Sequence, residues 1–411
     1  MPSVECLELS LLSKPELCDD LIAPSLIQEK AMSQTAERVS TQTKVMKWIA
    51  ITALIYLVLV AVGAVGDGFK LVSGGSEGAK AIFAFADNPL VALLLGVFAT
   101  ALVQSSSTVT SVIVGLVAGG LPLSVAIPMV MGANIGTTIT NTLVSVGHIR
   151  SKEEFQRAFA ASTVHDFFNL MAVLIFLPLE VAFGVLEKAA RYLADLFTID
   201  ANLSMKDYNF MKSLTAPALD VIKQITSVLD GKWAGIAMIV LGIGLILFAV
   251  TFLGKLLKQV MVGKAKAMLH GAIGKGPVAG ILSGTAVTVM VQSSSTTTSL
   301  MVPLAGSGVF STRQIYPFTL GANIGTTITA LLAATAISGS AAEAALTVAL
   351  VHVLFNVFAV LLIYGLPLLR DIPVYCAEAL ARASARNKGA AMAYVVGSFF
   401  VLPGALLLAI R

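Results

Sequence analysis

Apolar residues run through this chain in long blocks rather than in the alternating or one-sided patterns of soluble elements. Blocks near residues 48–66, 122–146, 157–180, 233–253, 311–337, 345–369 and 389–410 reach the roughly 20 residues a helix needs to cross the hydrocarbon of a bilayer, where only a helix satisfies its own backbone groups. Two further apolar segments, Pro89–Val103 and Val278–Val291, are shorter, and each runs straight into hydroxyls: "QSSSTVTS" at Gln104–Ser111 and "QSSSTTTS" at Gln292–Ser299. A second short apolar piece follows each cluster. Two half-length helices meeting at a polar point read as a re-entrant hairpin rather than a span, and the pattern predicts one over 89–120 and another over 277–308.

The hairpins belong to a larger duplication. "GANIGTTIT" starts at Gly132 and recurs unchanged at Gly321, and "VHDFFNLMAV" from Val164 is echoed by "VHVLFNVFAV" from Val351. The three pairs of blocks keep one order and are separated by 188, 189 and 187 positions, which marks a repeated unit. Each unit reads as span, hairpin, span, span. An odd number of spans would insert the second copy upside down, and the basic residues agree. "GHIRSKEEFQR" in the first copy carries Arg150, Lys152 and Arg157, whereas "ISGSAAEAA" in the second carries none. Conversely, "GDGF" follows the first span of copy one, while Lys255, Lys258, Lys264, Lys266 and Lys275 follow that of copy two. Basic connections stay cytoplasmic.

The predicted fold class is therefore an all-α integral membrane protein with two inverted-topology repeats, each carrying a re-entrant helical hairpin. Residues 1–43 are read as a polar, retained and mobile cytoplasmic tail, and Lys44 and Lys47 keep that end of the first span inside. The first repeat is 44–180, an extracellular linker 181–232, the second repeat 233–370, and a C-terminal segment with one further span 371–411. The linker mixes acidic and basic residues, contains no cysteine and includes Asn202-Leu203-Ser204, which fits a glycosylation acceptor.

Composition supports the bilayer. The 411 residues are 57% hydrophobic and 12% charged, with mean hydropathy +0.89, too little charge to cover a soluble globule of this size. A net charge of +4 spread over connecting segments argues against a nucleic-acid partner. Cys6, Cys18 and Cys376 have no metal-ligand spacing, so neither a disulfide framework nor a metal centre is expected.

The candidate chemistry lies in the uncharged clusters. Hydroxyls and the glutamine amide both donate and accept. Where a helix begins at a hairpin tip, free N–H groups and the positive dipole end suit an anion, while freed carbonyls and side-chain oxygens suit a hard monovalent cation. Packing by small hydroxyl residues is the plainer reading; two matching clusters in a repeated unit favour binding. In the "GANIGTTIT" blocks, Gly132, Gly136, Gly321 and Gly325 read as a packing face, and Asn134, Thr137, Thr138, Asn141, Asn323, Thr326 and Thr327 as ligands or supports. His165, Asp166 and Asn169, with His352 and Asn356 matching two of them, are ionisable or polar groups at membrane depth. Asp166 has no acidic counterpart, since Val353 stands there. No Lys or Arg lies in either cluster, so a multiply charged anion would need co-bound cations.

These motifs, with "MGANIGTTITNT" and "FQRAFAASTVHDFFN", resemble the type II sodium-dependent phosphate cotransporter family, and the chain resembles a bacterial member of it. The likeness covers most of residues 45–370. It implies a multi-pass protein of the plasma membrane (the inner membrane of a bacterium) that takes up inorganic phosphate with sodium as the co-transported ion and uses no organic cofactor. It further implies phosphate contacts at Ser105, Ser106, Ser107, Ser293, Ser294 and Ser295. Sodium ligands are implied among Gln104, Thr108, Asn134, Gln292, Thr296 and Asn323, with Ser111 and Ser299 as possible supports. The oligomeric state, monomer or homodimer, is left open. Alternatives are a sodium-coupled dicarboxylate symporter, a membrane phosphate sensor and, from a different class, an intramembrane hydrolase using Ser106 and His165. For the last, neither cluster has the GxSxG elbow.

Overall fold

The computed structural model describes residues 15–200, 205–272 and 275–409 except Thr138; side chains before Gln42, from Phe197 to Lys212 and over most of 261–274 are not described. Asn202 and Thr138 thus lie outside the described residues. The chain divides into two compact units, Met1–Ala53 and Leu54–Arg411. Among the described residues the structure is helical with no strand, and seven helices are long and apolar enough to span a bilayer: Val45–Ser73, Leu123–Val146, Lys152–Phe183, Lys232–Val260, Thr312–Thr335, Ala342–Tyr364 and Lys388–Ala409. They fall on the seven apolar blocks of the sequence. The protein is a multi-pass all-α membrane protein.

Helix α1 runs from Pro15 to Ser73, so the polar segment expected to be loose continues the first span as helix from Pro15 onward. The two short apolar segments become α2 (Pro89–Val103) and α3 (Ser106–Ala118). Asn88 caps α2 by accepting the Leu90 N–H, and Pro89 starts it with a preset φ. The helix ends at Gln104, which takes the left-handed conformation at φ 58°. Helices α4 (Leu123–Gly136), α5 (Ile139–Val146) and α6 (Lys152–Phe183) follow. Within the stretch read as a linker, Val185–Asp200 forms α7 and Met205–Thr226 forms α8. With no cysteine there to form a disulfide, packing orders α8: the Tyr56 hydroxyl donates to the Leu214 carbonyl at 2.9 Å and Lys223 pairs with Asp67 at 2.8 Å.

The second copy repeats the plan. Helix α9 runs from Lys232 to Ala272, so the basic segment read as a connection prolongs the span as helix. Helix α10 (Pro277–Val291) again starts on proline and ends at a left-handed glutamine, Gln292 at φ 54°. Its partner is broken into α11 (Ser294–Ser299) and α12 (Met301–Gly306). Pro303 explains the break, because it lacks the N–H that would bond the carbonyl of Ser299 four residues back. Helices α13 (Thr312–Thr335) and α14 (Ala342–Ala359) complete the copy.

Helix α2 packs on α4 and α10 on α13 by backbone approach. A Cβ on Gly132 would stand 2.0 Å from the Leu93 carbonyl oxygen, and one on Gly321 1.9 Å from that of Ile281; Gly96 and Gly284 meet Met129 and Phe318 carbonyls at 2.0 Å in the same way. The glycines of the repeated block are thus a packing face, as their spacing predicts.

Candidate functional site

Each polar elbow is built by local rules. Its glutamine ends the incoming helix, and the next serine caps the outgoing one. Ser105 Oγ accepts the Thr108 N–H at 3.2 Å and the Thr108 hydroxyl at 2.9 Å; Ser293 Oγ accepts the Thr296 N–H at 3.2 Å and donates to Thr296 Oγ1 at 3.0 Å. The glutamine amides are fixed alike. Gln104 Nε2 donates to the Ala101 carbonyl and Gln292 Nε2 to that of Val289. Their Oε1 atoms accept from Thr140 at 3.0 Å and Thr329 at 2.9 Å. A left-handed non-glycine residue carries conformational cost, and its persistence at two matched places marks a site where the side chain matters.

Both elbows open on one cavity of about 380 Å³, lined by Gln104 to Ser107, Gln292 to Thr296 and a face of α9. All six serines implied as phosphate contacts reach it, as do Gln104, Gln292 and Thr296. The first-turn N–H groups of α3 have no intrahelical acceptor, so together with its dipole they favour an anion there. Deeper hydroxyls return to the helix backbone: Thr110 to Ser106, Ser111 to Ser107, Thr298 to Ser294 and Ser299 to Ser295. Thr108 is buried on Ser105 away from the lining.

Asn134 and Asn323 do not line the cavity. They lie buried in a reciprocal network in which the asparagine of one copy meets the histidine and asparagine of the other. Asn134 donates to Asn356 Oδ1 at 2.8 Å, and its own oxygen accepts from His352 Nε2 at 3.0 Å. Asn323 donates to Asn169 Oδ1 at 2.7 Å, and its oxygen accepts from His165 Nε2. An amide oxygen only accepts, so with the amides in this orientation both histidines carry a proton on Nε2. Asn169 also donates to the Asn134 carbonyl at 3.1 Å, and Asn356 to that of His352 at 2.9 Å.

The remaining supports are local or asymmetric. Thr137, Thr326 and Thr327 bond carbonyls of their own helices. Asn141 donates to Thr298 at 2.7 Å and so touches the opposite elbow; the matching position is Ala330. Asp166 accepts from the Tyr394 hydroxyl at 2.9 Å, tying α6 to the C-terminal span.

The sequence reading missed four residues. Thr140 and Thr329 close the repeated "GANIGTTIT" block, so their identity in both copies was the available signal. Lys255 and Lys258 line the cavity, so basic residues from outside the clusters attend it. They lie well before the second cluster in sequence and were read only as orientation signals.

A second cavity, about 500 Å³, lies at the far end of α3. Its lining includes Asp67, Lys70, Ala118, Asp220, Lys223 and Ala336. One helix thus starts in the first cavity and ends in the second, about 20 Å away at 1.5 Å per residue.

Fold and site together define a multi-pass membrane protein in which paired, uncharged, oxygen-rich elbows line one cavity. The chain belongs to the Na+/Pi-cotransporter family, whose sequence model matches residues 57–255 and 245–366. It is 33% identical over 463 residues to sodium-dependent phosphate transport protein 2A of Rattus norvegicus, covering 94% of this chain and 72% of that one. The 2A protein of Oryctolagus cuniculus is 33% identical over 437 residues (88% and 67% covered), and the 2B protein of Homo sapiens 31% over 443 residues (86% and 64%). No solved structure matches the chain. Family membership sets aside the hydrolase reading: this is a cotransporter, not an enzyme.

Proposed function

We propose that the chain couples sodium entry to uptake of inorganic phosphate across the plasma membrane, holding phosphate between the two elbows and exposing it to each side in turn. The observation that carries this reading is that two sequence-matched QSSST elbows line one cavity. Serine hydroxyls and free helix N–H groups supply donors to phosphate oxygens. The glutamine oxygens, each with one lone pair left after accepting from threonine, and Thr296 are placed to share a sodium ion with it. Thr108, Asn134 and Asn323, implied as sodium ligands by resemblance, act instead as supports: Thr108 is buried away from the cavity lining, and the amides of Asn134 and Asn323 are committed to protein partners.

In this reading α2–α3 and α10–α12 are re-entrant hairpins of two inverted repeats, and the N-terminus is cytoplasmic. The cavity at the elbows then faces the basic, cytoplasmic end of α9, and the second cavity, with Asp67 and Lys223, faces outward beside the 181–232 linker. Alternating access carries the guest between the two along α3. Radiolabelled phosphate uptake into liposomes containing the full chain, under imposed sodium gradients and with voltage clamped by ionophore, tests it. Accumulation that needs inward sodium and is competed by arsenate is expected. Accumulation of succinate in place of phosphate would move the reading to a dicarboxylate symporter, and sodium-independent phosphate binding without flux would move it to a sensor.

A further inference from the structure

The first cavity is not lined by the two elbows alone. Val250, Thr251, Gly254, Lys255 and Lys258 of α9 also face it, at spacings of three and four residues that share one side of a helix. Helix α9 runs beside the incoming limb of the second elbow: a Cβ on Gly254 would lie 4.0 Å from the carbonyl oxygen of Val291, the residue before Gln292. The next position, Lys255, is thereby delivered to the elbow's edge, and Lys258 follows three residues on.

The charge balance of this lining is one-sided. It contains two lysines and neither aspartate nor glutamate. Among the described residues neither lysine makes an ion pair; Lys255 Nζ rests 5.0 Å from the centre of the Phe252 ring, a weak contact a stronger partner displaces. Both side chains are exposed. A dianion leaving water for hydroxyls and amide N–H groups loses hydration that neutral donors replace poorly, and two ammonium groups at the edge offset that loss.

We propose that Lys255 and Lys258 form a cationic lip that draws phosphate into the elbow cavity and sets its affinity on that face. The proposal rests on the phosphate-transport reading and adds positioning residues outside the repeated motifs. Lysine suits a lip better than arginine does. It is a hydrated point charge on a flexible stem, and it attracts a passing anion without the bidentate grip that would hold it.

The test is phosphate exchange at equilibrium in liposomes containing the full chain, which samples both faces whatever the orientation of insertion. The Lys255→Gln/Lys258→Gln double variant should raise the phosphate concentration for half-maximal exchange about tenfold. It should also flatten the loss of apparent affinity that choline chloride causes in the parent protein by screening. Sodium activation at saturating phosphate should be unchanged, which reports that the double variant is folded. The Lys255→Arg/Lys258→Arg variant should restore half-saturation and salt dependence and slow maximal exchange. A glutamine pair with the parent's half-saturation and salt dependence overturns the lip, as does an arginine pair that behaves like the glutamine pair. Absence of sodium-dependent phosphate exchange in the parent protein overturns the transport reading itself, and the lip with it.

Discussion

Gln104 and Gln292 hold the left-handed conformation at a cost that glycine would avoid. The Gln104→Gly variant should therefore keep or raise stability, by up to about 1 kcal/mol, while sodium activation of uptake falls at least about tenfold. Thermal unfolding in detergent and sodium-dependence curves measure the two effects, and a variant that transports normally would remove the glutamine from the site. At the serines the expectation differs. On the proposed site, Ser106→Ala and Ser294→Ala would each delete one donor to a charged oxygen, worth about 1.5–3 kcal/mol, and should raise the phosphate half-saturation about tenfold or more with little change in melting temperature. That the glutamines and serines share one cavity was legible because they recur in both copies. Thr108 was legible as a polar residue in the motif but not as a buried partner of Ser105, since cap geometry decides which hydroxyl turns inward.

At the scale of elements, the elbows are presented by two helix pairs locked at van der Waals distance. Gly132 and Gly321 admit a neighbouring carbonyl where any side chain would collide with backbone, which cannot swing away. Gly132→Ala and Gly321→Ala should each cost about 1–3 kcal/mol by overpacking, read as a lower melting temperature in detergent, whereas alanine at Gly244, where no neighbour approaches within 4 Å, should be neutral. The number and approximate places of the spans could be read from apolar length alone, because the bilayer imposes a minimum length on any helix crossing it. The helical extensions of α1 and α9 could not, since their polar and basic residues satisfy a loop reading equally well. Lys255 and Lys258 were hidden for that reason: only the continued helix returns them to the cavity.

In the whole molecule, the buried asparagines bind the copies to each other. Asn134→Leu would strand His352 Nε2 and the Asn356 amide oxygen, and Asn323→Leu would remove the acceptor of His165 Nε2 and the donor to Asn169 Oδ1. Each should lower stability by about 1–3 kcal/mol, and urea or thermal unfolding in detergent measures it. The duplication announced these residues as a set, but spacing within one copy cannot reveal that each satisfies its counterpart in the other. This exchange bears on how the protein is made. While the ribosome is still translating the second half, the first has already delivered Asn134, His165 and Asn169 without the partners that the second copy supplies, so this polar network closes only when its twin arrives.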